Sequence, residues 1–269
     1  MVGAPARLER ARERLMSIHL VGGGWPVEDE GAVYKPFFEE VAAHAEAAGK
    51  LEGGRLAIVL VRDGDAPEKF AELVTAYEQL GKIEPVAVLS PENAPIDPAV
   101  FADADGIVVW GGLTPAYRTS LEPAFGELRR LVASGVPYLG FSAGAAITAE
   151  NAIVGGWKID SVEIGLEDAS EDLEQLTVAP GIGLIDLAVD VHAAQWGSVS
   201  RLIAATESGL VDGGVAIDEH TALIVGDGPL RVVGRGSVWK VTPDSGSVRV
   251  STAGADPEPS VAASVPLEA

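Results

Sequence analysis

Gly140-Phe141-Ser142-Ala143-Gly144 is the stretch whose reading decides this chain. It follows the apolar run Val136-Pro137-Tyr138-Leu139 and opens into Ala145-Ala146-Ile147-Thr148-Ala149-Glu150, a segment of helix composition. Strand, G-x-S-x-G and helix in that order predict a nucleophile elbow, a strained turn whose flanking residues must be small for strand and helix to approach. The serine would project from the turn beside backbone N–H groups that favour developing negative charge. Read without chemistry, the stretch is a Gly-rich turn whose serine caps a helix. The strand and the helix on either side favour the elbow.

Outward from the elbow, strands alternate with helices. Gly106 to Trp110 is an apolar strand ending in Gly111-Gly112; Thr114 caps a helical segment beyond it, and a second helix opens at Pro123 and reaches Ala133. Arg55 to Arg62 is a near-continuous apolar run, as in a strand buried on both faces of a parallel sheet. Helices are predicted over 36–49, with Phe37, Phe38, Val41, Ala42 and Ala45 on one face, and over 68–80, with Phe70, Leu73, Val74 and Tyr77 at helical spacing. Ser17 to Val21 reads as a strand running into Gly22-Gly23-Gly24-Trp25, and Pro85 to Leu89 as another. This alternation predicts an α/β protein whose mostly parallel sheet carries its site at the strand C-termini. Gly22–Gly24, Arg62–Asp65, Gly111–Thr114 and Ser142 should therefore share one sheet edge.

The second half changes character. Residues 155–180 contain Gly155, Gly156 and the acids Glu163, Glu167, Asp168, Glu171, Asp172 and Glu174, and read as a long surface excursion. Leu187 to Val191 is a strand delivering His192, Val199 to Ala205 a helix, and the chain is β-rich from Gly214 onward. The expected organisation is a basic extension over 1–16, one domain over 17–251 and a disordered Ala/Pro/Ser-rich tail with a few acids over 252–269.

The chain has 269 residues and a net charge of −21, which argues against nucleic acid or an anionic membrane as partner. It has no cysteine, which excludes disulfides, thiolate metal sites and a cysteine nucleophile. Arg7, Arg10, Arg12 and Arg14 precede no apolar segment of secretory type, so a cytoplasmic location is the expectation. No metal or cofactor is called for. The β-rich half could form a homodimer surface or simply complete the sheet.

A serine nucleophile needs a base within hydrogen-bond reach and a carboxylate to orient that base. Of the four histidines, His19 lies inside a strand, His44 at a helix boundary and His220 in a turn where exposure is expected. His192 ends a strand on the expected edge and is the best base. Glu219 is the preferred orienting acid, with Asp218 and Asp190 as alternatives. The N–H groups of Ala143 and Gly112 are the natural oxyanion donors. The acid follows the histidine in the chain, which is not the Ser, acid, His order of α/β-hydrolases.

Gly-Phe-Ser-Ala-Gly-Ala, the preceding Trp-Gly-Gly-Leu-Thr, Asp-Val-His with Arg201-Leu202 downstream, and Ile-Asp-Glu-His-Thr-Ala-Leu together resemble the S51 peptidase family, which includes aspartyl dipeptidases and cyanophycinases. The resemblance spans about residues 17–251. It implies a three-layer αβα sandwich similar to the flavodoxin-like class I glutamine amidotransferases. It also implies a Ser–His–Glu arrangement falling on Ser142, His192 and Glu219, an oxyanion hole at Gly112 and Ala143, and a small peptide substrate met by Thr114 and Arg201. The chain departs from the family where Ala193 replaces a phenylalanine and where Trp196 and Ser198 stand in place of arginines that hold an aspartyl carboxylate. Val191 and Leu113-Thr114 also differ from the cyanophycinase pattern. These departures argue against cyanophycin cleavage and put strict Asp-X specificity in question, since guanidinium–carboxylate recognition is bidentate. Arg118 and Arg62 are other candidate anion contacts.

Overall fold

The computed structural model describes residues 17–26, 31–50, 53–226 and 228–255. The basic extension and the chain beyond 255 lie outside them. Five parallel strands form the heart of the main sheet: β1 (Ile18–Val21), β2 (Gly54–Val61), β3 (Ile83–Ser90), β4 (Gly106–Val109) and β5 (Tyr138–Phe141). β12 (Thr221–Val225) and β13 (Arg231–Gly234) add antiparallel strands at one side, giving the order β13-β12-β1-β5-β4-β2-β3. Side chains alternate across this sheet with period two. Leu56, Ile58 and Leu60 of β2 pack under α1 (Lys35–Ala47) and α2 (Ala66–Tyr77), against Phe37, Val41, Leu73 and Tyr77. Ala57, Val59 and Val61 face the other way, toward Tyr117 and Leu121 of α3 (Thr114–Leu121) and Phe125 and Leu128 of α4 (Phe125–Ala133). Helices thus cover both faces of the mostly parallel sheet.

Four further strands form a second sheet. β10 (Ala188–Val191) and β11 (Gly214–Ile217) are parallel, and β14 (Ser237–Asp244) and β15 (Ser247–Gly254) extend them antiparallel. Val189, Val191, Val215 and Ile217 join the main core, while Ala188, Ala216 and Val241 pack against Leu202 and Ala205 of α7 (Val199–Glu207). This corrects one expectation: His192 follows a strand of the second sheet, not of the main sheet. Another boundary also moves. β15 runs to Gly254, paired with Ser237, so 252–254 belong to the sheet rather than to a tail.

The acidic excursion is partly ordered. β6 (Asn151–Gly155) pairs with β9 (Thr177–Pro180), and β7 (Lys158–Ile159) with β8 (Val162–Glu163). No helix among the described residues is long and apolar enough to cross a membrane.

Candidate active site

The Gly140–Gly144 turn sits where β5 ends. Ser142 has φ 52 and ψ −114, a strained conformation for a residue with a side chain. The flanking glycines are demanded by contact. A Cβ on Gly140 would lie 2.3 Å from the Gly144 carbonyl oxygen, and one on Gly144 2.0 Å from that of Val109. The following helix, α5 (Ala143–Ala146), is a single turn, shorter than the sequence suggested. Among the described residues neither the Gly112 nor the Ala143 N–H is taken by another protein group. Tyr117 Oη donates to the Gly111 carbonyl at 3.0 Å and fixes the Gly111-Gly112 turn.

His192 reaches the serine from the second sheet. Its N–H donates to the Gly22 carbonyl at 2.9 Å, and the Ser142 N–H donates to that of Val21 at 2.9 Å, so the end of β1 spans both residues. With the Nδ1 proton donated to Glu219 Oε1 at 2.7 Å, Nε2 accepts from Ser142 Oγ at 2.8 Å. Ser142 and His192 are buried, while a quarter of the Glu219 side chain (26%) is exposed. Burial lowers the His192 pKa below its ordinary 6.5, opposed by the Glu219 carboxylate. Burial thus favours the neutral imidazole.

The three acids separate by what they hold. Asp190 takes both Nε and Nη2 of Arg201, at 2.9 and 2.7 Å, and the Val191 N–H. Asp218 accepts from the N–H groups of Ala194 and Ser237 and from Trp239 Nε1. Only Glu219 meets the imidazole. It lies where the chain leaves β11 for β12, between the two sheets.

Other expectations fare differently. Arg201 does not face a substrate: it is 6% exposed, and its guanidinium is held by Asp190 and the Ala169 carbonyl. Thr114 is buried, and its N–H already donates to Glu171 Oε2 at 2.8 Å. Arg118 binds Glu122 and the Pro180 carbonyl, and Arg62 binds Asp65. His19 is buried against Glu40, and His44 is a half-exposed neighbour of Asp105. His220 is half-buried rather than exposed, against Gly24.

Sequence reasoning did not give what Gly23 and Trp196 lie against. A Cβ on Gly23 would lie 2.4 Å from His192 Cε1 and 2.9 Å from Glu219 Cγ, so this glycine lets backbone lie against both side chains. Trp196, at the end of α6 (Ala193–Trp196), stacks on the imidazole. A cavity of about 960 Å³ opens onto Ser142 and Gly112 and is lined also by Glu167, Asp168, Glu171, Asp172 and Glu174. Lys158 also lines it, but is bound to Glu174 at 3.2 Å and lies over Trp157. Burial pushes the Glu171 carboxyl pKa up, against the Thr114 N–H and Arg201, which lower it. Among the described residues no cluster of His, Asp and Glu could hold a metal ion.

A serine, an imidazole and a carboxylate are thus hydrogen-bonded in succession where the two sheets meet. No family model matches the chain. Over 124 residues it is 38% identical to the cyanophycinases of Synechococcus elongatus and of Thermosynechococcus vestitus (strain NIES-2133 / IAM M-273 / BP-1), a segment covering 45% of this chain and 36% of each relative. The match thus spans about a third of the length of these curated relatives. The fold is similar to that of a crystal structure of a peptidase from an acI-B1 Actinobacterium, with TM-score 0.61 and 18% identity over 90% of this chain and 95% of that one. The likeness to the cyanophycinases is thus confined to the matched segment, and the likeness to the solved peptidase is one of fold.

Proposed function

We propose that this protein is a serine-type peptidase that hydrolyses a small peptide or amide bond at Ser142. The observation that carries the reading is the unbroken line from Ser142 Oγ through His192 to Glu219, at 2.8 and 2.7 Å, beside the Gly112 and Ala143 N–H groups. His192 Nε2 takes the proton as Oγ attacks the carbonyl, and the two N–H groups receive the oxyanion. His192 then gives its proton to the leaving amine. A water, deprotonated by the same imidazole, releases the acyl group from Ser142.

Five carboxylates face the cavity, its lysine is engaged, and Arg201 is committed elsewhere. That balance disfavours an aspartyl side chain, so the substrate class is a peptide or amide without strict Asp-X selectivity. The same tied arginine motivates a second reading, a binding protein that kept the fold and lost its substrate pocket. Hydrolysis of a dipeptide library containing Asp-X, Glu-X, β-Asp-Arg and neutral members separates the two. Cleavage that falls ~10⁴-fold or more in Ser142→Ala is the expected result. Absence of Ser142-dependent cleavage across the library, with no labelling of Ser142 by an organophosphonate, sinks the peptidase reading.

A further inference from the structure

The proposed chemistry passes through a protonated His192, and this ring has a neighbour besides Ser142 and Glu219. Trp196 lies flat against it, with ring centroids 3.8 Å apart and planes 8° from parallel. The indole is 40% exposed, so core burial alone does not account for its place. The local backbone fixes it there. α6 is one turn set between two left-handed residues, His192 at φ 54 and Gly197 at φ 68, and the Trp196 N–H donates to the His192 carbonyl at 2.8 Å. Gly23 lies against the same imidazole, with no room for a Cβ.

We propose that Trp196 is a positioning residue that keeps the His192 imidazole aligned between Ser142 and Glu219 and stabilises its protonated form through the indole face. The inference rests on the peptidase reading for its catalytic consequence. A cation over an aromatic face is attracted by the ring quadrupole, most strongly for tryptophan. That attraction acts on the imidazolium and not on the neutral base, so it favours the states after Ser142 has given up its proton. The other groups acting on the ring are Glu219 and Asp190, which favour its proton, and Arg201 and burial, which oppose it.

The test is titration of the His192 imidazole by NMR in the full chain, assigned with His192→Gln, for wild type, Trp196→Phe and Trp196→Leu. Leucine keeps water off the ring but has no π face. In Trp196→Leu the His192 pKa should fall by about one unit, a tenfold loss of proton affinity. Peptide hydrolysis should drop about tenfold at its plateau, with the acidic limb of kcat/KM moving to lower pH. Trp196→Phe, the milder change, should fall between the two and keeps the test available where the leucine variant does not fold. A folded variant whose His192 pKa is unmoved, or rises, overturns the proposal. A lowered pKa in a protein without Ser142-dependent hydrolysis supports the stack and sinks the peptidase reading. Hydrolysis with an unmoved pKa does the reverse.

Discussion

The two walls of the cavity follow opposite plans. On the Ser142 side, β5, the end of β1 and the second sheet converge; Ser142, His192 and Asp190 have buried partners, and Asp218 accepts three hydrogen bonds from half-buried or exposed residues. On the other side, residues 157–175 cross the surface in short strands and turns, with Glu171 and Asp172 at φ 57 and 58 and most of the acids exposed. Packing fixes one wall to fractions of an ångström. Charge and turn geometry shape the other. Substitutions of the same kind should therefore have unequal effects on the two sides.

The largest contrast is between two glycines. Gly144→Ala sets a Cβ 2.0 Å from a backbone oxygen and should cost more than about 4 kcal/mol, seen as loss of the folded protein by circular dichroism. Gly165→Ala in the excursion meets its nearest atom, Ser200 Oγ, at 3.9 Å and should stay within about 0.5 kcal/mol. Equal stability of the two variants would break the comparison.

Next comes Glu219→Gln, which should keep the fold and lower kcat/KM roughly 10²–10⁴-fold. Wild-type activity should rise with pH along a limb lying below 6.5, because burial outweighs Glu219 at His192. Removing the carboxylate takes away a group that raises this pKa, so the limb should move to lower pH as the plateau falls. A limb that moves upward contradicts the assignment of Glu219.

Arg201→Met leaves Asp190 buried and unpaired and should destabilise by about 3–5 kcal/mol in denaturant unfolding, with partial recovery when Asp190→Asn is added. A stable variant with a specific loss of substrate affinity would instead return Arg201 to the substrate.

The smallest expected effect falls on the acidic wall. The Glu171 carboxyl has a folded pKa raised above 4.5, so its contribution to stability is fully present below that value and is lost as pH rises through the folded pKa. Glu171→Gln should thus raise the melting temperature at pH 8 by the equivalent of a few tenths to about 1 kcal/mol and change little at pH 4. An equal gain at both pH values would show that charge is not what the excursion contends with.

The strand and tight turn around Ser142 were legible in the sequence because their signal is local: Gly140 is required by the Gly144 carbonyl and Gly144 by that of Val109, and the strand adjoins them. The alternation of apolar strands with helices likewise announced the main sheet. The split into two sheets was not legible, because Leu187–Val191 reads like any strand of an α/β chain and its partner, Gly214–Ile217, lies beyond a helix. Local pattern carries no information on which sheet a strand joins. His192 was singled out by its place at a strand end, whereas Glu219 was preferred over two other acids by resemblance. The hydrogen bonds that separate Glu219 from Asp190 and Asp218 depend on side-chain direction in the folded state. The Gly22-Gly23-Gly24 run was visible, but what approaches it comes from residues 192 and 217 to 220.

The placement of Glu219 between sheets has a consequence for synthesis. β1 finds its antiparallel partner only in β12, with Ile18 set against Val225, and the carboxylate lies just ahead of that strand. A nascent chain released from the ribosome as far as Val211 has already exposed the serine and the imidazole but holds neither Glu219 nor the strand that closes the edge of β1. The hydrogen bond from the His192 ring to Glu219 therefore forms only after all of β11 has emerged.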